Sequence, residues 1–229
     1  MAWRKSGLLR LVKNAVVPSG SKPRVILTGA FKGIRLDLDL RSNSQMYAGF
    51  FERELYSDLS RLSRGVRTAV DIGAAHGEYS IYALLKTGAE RVIAFEPDPT
   101  FTPQLHRNLQ LNGLEQNPRF ELHTKYLGSV ASTDTISADS LADWIQPPCL
   151  LKMDIEGGEL DVLRASATRL LSVRGLSWII EAHSEAIREE SLSILKASGY
   201  TTKFIPQAWW RFLLPELRGT KVGWIVATK

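Results

Sequence analysis

The feature of this sequence that most restricts its fold is an alternation of short apolar runs with helical segments from Val66 onward. Short apolar strands separated by helices are typical of a parallel sheet with helices on both faces. The predicted strands cover residues 68–72, 91–95, 119–125, 150–155 and 178–182, and the predicted helices cover residues 77–87, 101–112, 138–145, 158–171 and 185–198. Two further strands, ending at Ile205 and Thr228, have no helix between them, which predicts an antiparallel hairpin. We therefore expect an α/β chain with a mostly parallel seven-stranded sheet that ends in a C-terminal hairpin.

The residues before the first core strand predict a small β-hairpin and a helix. Apolar and polar residues alternate from residue 25 to residue 40 around two glycines, which is a hairpin pattern. Residues 44–62 carry apolar side chains at helical spacing, and a glycine follows them shortly. The predicted organisation is a basic leader at residues 1–23, a hairpin and capping helix at 24–65, and a main domain at 66–229.

Charge and composition restrict the partners and the compartment. The 229 residues carry a formal charge of +5, and six basic residues without an acid lie within the first 24. The rest of the chain is close to neutral, so nucleic acid is not an expected partner. The single cysteine cannot form an internal disulfide, and no apolar stretch approaches the roughly 20 residues of a membrane span, so we expect a cytoplasmic protein. Basic residues interrupt segment 7–17, which predicts a short amphipathic helix instead of a secretory signal.

The loop after the first core strand indicates the kind of cofactor. Asp71 lies at the end of that strand, and Gly73 and Gly77 enclose a short turn into a helix. Glycines let a ligand approach the backbone closely, and we expect the loop to present free amide donors. A dinucleotide site has glycine at the position of Asp71, because a carboxylate there would repel the pyrophosphate. The same carboxylate attracts the cationic ammonium and sulfonium groups of S-adenosylmethionine (SAM), so the loop predicts SAM binding.

Glu96 is the second residue that predicts the cofactor. It lies 25 residues after Asp71 at the end of the next strand, and Pro97 follows it. An acid at this place in a Rossmann-type unit binds the ribose hydroxyls of the nucleotide. The full set of predicted cofactor-binding residues is Asp71, Gly73, Ala74, Gly77, Tyr79, Glu96, Pro97 and Asp154.

Three motifs of the chain support a family resemblance. They are the loop at 71–77, the strand end Ala94-Phe95-Glu96-Pro97, and the segment Lys152-Met153-Asp154-Ile155-Glu156-Gly157-Gly158-Glu159. With these motifs the chain resembles the FkbM-like family of SAM-dependent methyltransferases, and the third motif is the most specific. The resemblance runs from about Arg24 to the C-terminus and includes Gly49-Phe50-Phe51-Glu52.

The resemblance implies both a fold and an activity. The implied fold is a Rossmann-like class I methyltransferase fold, and the implied reaction is O-methylation of a small-molecule hydroxyl, on a sugar or natural product, with SAM as cofactor. The sequence departs from the family at Ala75, where asparagine is usual and would supply a polar side chain. Glu159 begins the helix after the third motif, where an acid also favours the helix dipole.

Acidic side chains and a histidine gather at the predicted carboxyl edge of the sheet. Ligands of open parallel sheets bind at this edge, and Asp71, Glu96, Asp154 and Glu181 lie there. Asp154 is expected beside the transferring methyl group. Glu181 and His183 share one face of their strand, or are neighbours in a loop if the strand ends early. We predict Asp154, Glu181 and His183 as catalytic residues. Three roles stay open: His183 as general base, all three as ligands of a divalent metal ion, or positioning of the cofactor alone.

The nature of the acceptor is predicted from weaker features. Residues 206–215 are rich in tryptophan, which predicts either a lid over the acceptor or a loop packed on the core. A nucleic-acid methyltransferase is the second hypothesis, but the sequence lacks the N-P-P-[YF] segment that holds a flipped base. The third hypothesis, motivated by Ala75, is a SAM-fold protein without catalytic activity. The preferred prediction is a methyltransferase with a small-molecule hydroxyl as acceptor.

Overall fold

The computed structural model describes residue 17 and residues 19–208 and 222–229. The predicted leader helix, apart from its last residue, lies outside the described residues, as do residues 209–215 of the Trp-rich segment. Among the helices of the described ranges, none has the length and apolar character that a membrane crossing demands.

Eleven strands and seven α-helices are present in the described part of the chain. The strands are β1 (Lys22–Val25), β2 (Arg35–Leu38), β3 (Thr68–Ile72), β4 (Arg91–Phe95), β5 (Phe120–His123), β6 (Tyr126–Gly128), β7 (Thr135–Ser137), β8 (Cys149–Met153), β9 (Leu176–Ala182), β10 (Thr201–Pro206) and β11 (Gly223–Thr228). The helices are α1 (Leu40–Ala48), α2 (Tyr56–Leu62), α3 (Glu78–Lys86), α4 (Thr102–Leu111), α5 (Leu141–Trp144), α6 (Glu159–Ala165) and α7 (Glu185–Ala197).

The seven-stranded sheet has the strand order β10-β11-β9-β8-β3-β4-β5. Strands β9, β8, β3, β4 and β5 are parallel, whereas β11 runs antiparallel to both β9 and β10. The predicted mostly parallel sheet with an antiparallel C-terminal hairpin is therefore confirmed. The chain moves from β3 outward to β5 and then returns to β8 on the other side of β3, so the strand order reverses between β3 and β8. Ligands of open α/β sheets bind at such a reversal.

Helices cover both faces of this sheet, as predicted. Ile81 of α3 and Leu105 of α4 belong to the apolar core on one face, and Val162 of α6 and Leu195 of α7 belong to the core on the other. Successive side chains of a strand point to opposite faces. The hydrophobic side chains on both faces are buried, which accounts for the nearly continuous apolar composition of the central strands.

The N-terminal hairpin is confirmed, because β1 pairs antiparallel with β2. The single helix predicted at residues 44–62 is wrong: α1 and α2 are separate, and a 3₁₀ turn at Arg53–Leu55 lies between them. Gly49 ends α1 with φ of 81°, and a Cβ there would lie 2.2 Å from the carbonyl oxygen of Thr28. A left-handed glycine at this position ends a helix, because its backbone turns away from the helix axis.

Two other elements differ from the prediction. The helix predicted at residues 158–171 ends at Ala165, because Oδ1 of Asp139 accepts hydrogen bonds from the backbone amides of Arg169 and Leu170. These bonds replace the helical partners of the two amides. The short parallel pair of β6 and β7 was not predicted, since three-residue strands carry too little periodicity to be recognised.

Candidate active site

Hydrogen bonds from its backbone amides connect the loop between β3 and α3 to the end of β4. The amides of Gly73 and Ala74 donate to the carbonyl oxygen of Phe95 at 2.9 and 3.0 Å, and the amide of Ala75 donates to Oε2 of Glu96 at 2.7 Å. The amide of Gly77 donates to the carbonyl of Ala74 at 2.7 Å. The expectation of free amide donors is wrong for these four groups, because they hold the loop in shape.

Three residues of the loop, Gly73, Ala75 and Gly77, adopt left-handed backbone conformations. Gly73 has φ of 80°, and a Cβ there would lie 2.0 Å from the carbonyl oxygen of Asp154. Ala75 has φ of 44°, which is uncommon for a residue other than glycine, asparagine or aspartate. The asparagine of the related family tolerates this conformation better than alanine. The departure at Ala75 therefore removes a polar side chain and also adds backbone strain.

Glu96 lies at the end of β4 on the wall of a cavity of about 610 Å³. Its carboxylate is held from two sides, because Oε1 accepts from the amide of Asp98 at 2.9 Å and Oε2 accepts from Ala75. The cavity is also lined by other predicted site residues and by an apolar wall: Gly73, Pro97, Asp154, Phe101, Tyr126 and Leu127. A carboxylate has about four lone-pair positions, so Glu96 keeps acceptor capacity on the cavity side.

Four of the predicted cofactor-binding residues are not among those that line this cavity: Asp71, Ala74, Gly77 and Tyr79. Asp71 is buried, and its Oδ2 accepts a hydrogen bond from Ser80 Oγ at 2.7 Å. The hydroxyl of Tyr79 donates to Oε2 of Glu52 at 2.5 Å. Strand alternation explains the position of Asp71, because its neighbour Ile72 takes the opposite face of β3. The side chains of Asp71 and Tyr79 therefore point away from this cavity, and their cofactor role stays a prediction.

A buried lysine joins Asp71 to the predicted catalytic residues. The ammonium of Lys152 lies 3.9 Å from Asp71 Oδ1, 3.3 Å from Asp154 Oδ2, and 4.8 Å from the centre of the Tyr79 ring. Burial by itself would lower the pKa of Lys152, but the Asp154, Asp71 and Glu52 carboxylates together raise it above its ordinary value. Lys152 therefore stays an ammonium and cannot serve as a general base.

The sequence assigned no role to Lys152, although it stands in the most specific motif. A usable signal was present, because residues two apart in a strand share a face. Lys152 and Asp154 are two apart, and Lys152 lies opposite Asp71 in the parallel register of β8 and β3.

The three predicted catalytic side chains come together at the ends of β8 and β9. One ligand atom each of Asp154, Glu181 and His183 lies within 4.8 Å of the other two. Nε2 of His183 lies 3.6 Å from Asp154 Oδ1, and Nδ1 lies 2.5 Å from Oε1 of the fully buried Glu159. The sequence offered the helix dipole as an interpretation of Glu159, and the contact of Glu159 with His183 was not predicted. Of this group, Asp154 also lines the cavity beside Glu96.

The environment of Asp71 predicts a pH dependence of stability. Burial raises the pKa of Asp71 to about 6, although Lys152 and Ser80 oppose this shift, whereas an unfolded chain has an aspartate pKa near 3.9. The folded state therefore binds the proton more tightly, and stability is lost as the pH rises from about 4 to about 6. We expect Asp71→Asn to remove about 3 kcal/mol of this pH dependence, measured as the free energy of unfolding in urea at pH 4 to 7.

The matched control is Asp161→Asn, since the Asp161 side chain is 75% exposed on α6. This variant should follow the pH profile of the unsubstituted protein. A profile of Asp71→Asn that is parallel to that of Asp161→Asn would mean that Asp71 does not titrate in this range.

Comparison with known proteins supports the fold and the resemblance. Residues 120–214 match the family model described as the Methyltransferase FkbM domain. The seven-stranded sheet has the Rossmann-like fold of methyltransferases, and residues 120–214 are similar to the Methyltransferase FkbM domain. The resemblance to FkbM methyltransferases that was stated from the motifs is confirmed by these two matches. Among curated proteins, none matches the sequence significantly.

Solved structures with this fold include several methyltransferases. A methyltransferase FkbM from Methylobacillus flagellatus KT is 22% identical with a TM-score of 0.53, and the match covers 72% of this chain and 44% of that chain. A precorrin-6y C5,15-methyltransferase from Geobacter metallireducens GS-15 is 16% identical with a TM-score of 0.52, over 77% of this chain and 89% of that chain. A ribosomal protein L11 methylase from Lactobacillus delbrueckii subsp. bulgaricus is 16% identical with a TM-score of 0.52, over 77% of both chains. The chain therefore spans less than half the length of its FkbM relative.

Proposed function

We propose that this protein transfers a methyl group from SAM to a hydroxyl oxygen of a small molecule, such as a sugar or natural product. The observation that carries the proposal is the position of Asp154, which lines the same cavity as Glu96 and also belongs to the group formed with Glu181 and His183. A cofactor held by Glu96 and an acceptor held beside Asp154 would meet in one cavity. The predicted cytoplasmic location and the small-molecule acceptor are parts of this proposal.

The residues on the cavity wall suit the nucleoside part of SAM. Glu96 is held rigidly by two backbone amides, so its carboxylate would accept hydrogen bonds from the ribose hydroxyls without reorganising. Phe101 and Leu127 supply an apolar surface that suits the adenine ring. Gly73 has no side chain, so the end of β3 can lie close to the backbone of Asp154 at the end of β8. The loop would thus act through its shape more than through the charge of Asp71.

The acceptor would bind at the side of the cavity formed by Asp154. SAM supplies a methyl carbon on a sulfonium, which leaves as a neutral thioether when the acceptor oxygen attacks that carbon. The acceptor hydroxyl loses its proton as the new carbon–oxygen bond forms, and the Asp154 carboxylate or water receives it. Lys152 holds Oδ2 of Asp154, so the orientation of this carboxylate is set before the acceptor arrives.

The test of the cofactor assignment is titration calorimetry with SAM. We expect Glu96→Ala to weaken binding about 10- to 100-fold, because hydrogen bonds to a charged group contribute about 1.5–3 kcal/mol. Glu90→Ala is the matched control, since Glu90 is an exposed acid that pairs with Arg67 away from the cavity. Equal SAM affinity in Glu96→Ala and Glu90→Ala would count against the proposed site.

Methyl-labelled SAM added to a cell extract with the protein tests the acceptor class. Label in the small-molecule fraction, lost with Asp154→Ala, supports the proposal. Label recovered in RNA or DNA would replace it with the nucleic-acid hypothesis. SAM binding without labelling of any fraction would favour the non-catalytic hypothesis.

A further inference from the structure

Metal-ligating atoms converge at the ends of β8 and β9. Asp154 follows β8, Glu181 lies within β9, and His183 follows β9 directly. One carboxylate oxygen from each acid and one ring nitrogen lie within 4.8 Å of one another. Two carboxylates and an imidazole are a donor set that suits divalent ions such as Mn²⁺. We propose that Asp154, Glu181 and His183 bind one divalent metal ion.

The orientation of His183 supports an ion at Nε2. Its Nδ1 lies 2.5 Å from Oε1 of Glu159, which is the first residue of α6 and is fully buried. A carboxylate bound to one nitrogen of a histidine fixes the ring and directs the other nitrogen toward a metal. Glu159 is therefore a positioning residue for this site, and Nε2 is the ligand atom.

The spacing between Nε2 and Asp154 also fits an ion. The two atoms are 3.6 Å apart, which is longer than a hydrogen bond. Two ligand atoms, each about 2.1 Å from one ion, lie about 3.0–3.6 Å apart when they subtend roughly 90–120° at the ion. Lys152 binds the other oxygen of Asp154 at 3.3 Å, and this contact directs Oδ1 toward His183.

A base role for His183 fits the same geometry less well. The ring lies between the carboxylates of Glu159 and Asp154, one at each nitrogen. The lining of the cavity includes Asp154 but not His183, so the His183 ring does not face the place proposed for the acceptor. The metal role, one of the three that the sequence left open, therefore agrees best with these contacts.

A role of the ion in methyl transfer rests on the proposed function, whereas the binding of the ion by the protein does not. Asp154 belongs to both the metal ligands and the cavity wall, so the ion would lie at the acceptor side of the cavity. Three protein ligands leave an octahedral ion with positions for other oxygen ligands. An acceptor hydroxyl bound there would lose its proton more easily than in water.

Binding of Mn²⁺ alone, without SAM or acceptor, tests the proposal. The probe is the electron paramagnetic resonance signal of free Mn²⁺, titrated with chelator-treated full-length protein. We expect one bound Mn²⁺ per chain and at least about 100-fold weaker binding in His183→Ala. Glu159→Gln should bind about 10- to 100-fold more weakly, because partners that orient a ligand contribute that much to metal affinity. His106→Ala is the matched control, since His106 is exposed on α4, and it should bind like the unsubstituted protein.

Thermal unfolding of the same samples separates loss of the site from loss of the fold. Mn²⁺ should raise the melting temperature of the unsubstituted protein and of His106→Ala but not that of His183→Ala. The proposal is overturned if the folded protein binds no Mn²⁺ saturably, or if His183→Ala binds it equally well. SAM titration of these samples keeps the two proposals distinct. SAM binding without Mn²⁺ binding rejects the metal site alone, and Mn²⁺ binding without SAM binding rejects the cofactor assignment alone.

Discussion

Replacing Gly73 with alanine is expected to lower the free energy of unfolding by about 3–5 kcal/mol. The left-handed backbone costs a residue with a Cβ about 1–2 kcal/mol, and forced overpacking costs about 1–3 kcal/mol more. Here the new Cβ would lie 2.0 Å from the carbonyl oxygen of Asp154. That oxygen cannot easily retreat, because the amide of Asp154 donates to Ile72 and the amide of Gly73 donates to Phe95, both at 2.9 Å. Guanidinium unfolding monitored by circular dichroism measures the loss.

The control for this substitution is Gly88, which lies between α3 and β4. Gly88 is exposed, its backbone does not have a left-handed φ, and no atom lies within 4 Å of the position that its Cβ would take. Gly88→Ala should therefore change the free energy of unfolding by less than about 1 kcal/mol. If both alanine variants unfold at the same denaturant concentration, the close approach of the two strand ends does not constrain Gly73.

Replacing Lys152 with methionine is expected to lower the free energy of unfolding by about 3–5 kcal/mol at pH 8. Removal of one partner from a buried ion pair leaves an uncompensated charge, and this accounts for the size of the loss. Lys152 is buried beside Asp71 and Asp154, with side-chain exposure of 8% for the lysine and 6% for Asp71. Methionine has a similar length, so the loss reports on charge more than on volume. Urea unfolding at pH 8 measures it.

The same substitution should cost less at pH 5. Asp71 has a pKa of about 6, so it is mostly protonated at pH 5, and a neutral Asp71 gains little from the charge of the Lys152 ammonium. Lys196→Met, in the exposed last turn of α7, is the control and should have a small effect at both pH values. An equal loss for Lys152→Met at pH 5 and pH 8 would show that carboxylate charge is not the cause.

Much of the sheet could be predicted from the sequence because its signals are local. The bounds predicted for β3 and β4 agree with the observed strands, since each is a short, mostly apolar run with a glycine or a proline within two residues of its end. Glu96 was found for the same reason: it directly follows β4, and the ends of parallel strands meet at one edge. The break at Gly49 escaped prediction because it depends on contact with Thr28, a residue distant in sequence.

The side-chain partners within the site were harder to predict. Asp71 was expected at the cofactor because it stands near the end of a strand, but its side chain lies on the face that α3 covers, beside Ser80. Tyr79 reaches Glu52, which belongs to the N-terminal segment. Both outcomes depend on what packs against a face, and no local pattern carries that information.

From residue 66 onward, the sequence alone determined the order along the chain of the five helices and of the seven strands of the main sheet. It also determined the edge of the sheet where the candidate site lies, and Glu96, Asp154, Glu181 and His183 as candidate residues. These features follow from hydrophobic period and strand ends, which are properties of neighbouring residues. Only the tertiary structure decided that Lys152 binds Asp154 and that Glu159 holds His183. Such contacts arise from strand register and from the docking of helices on the sheet, because these bring together residues that are distant in the chain.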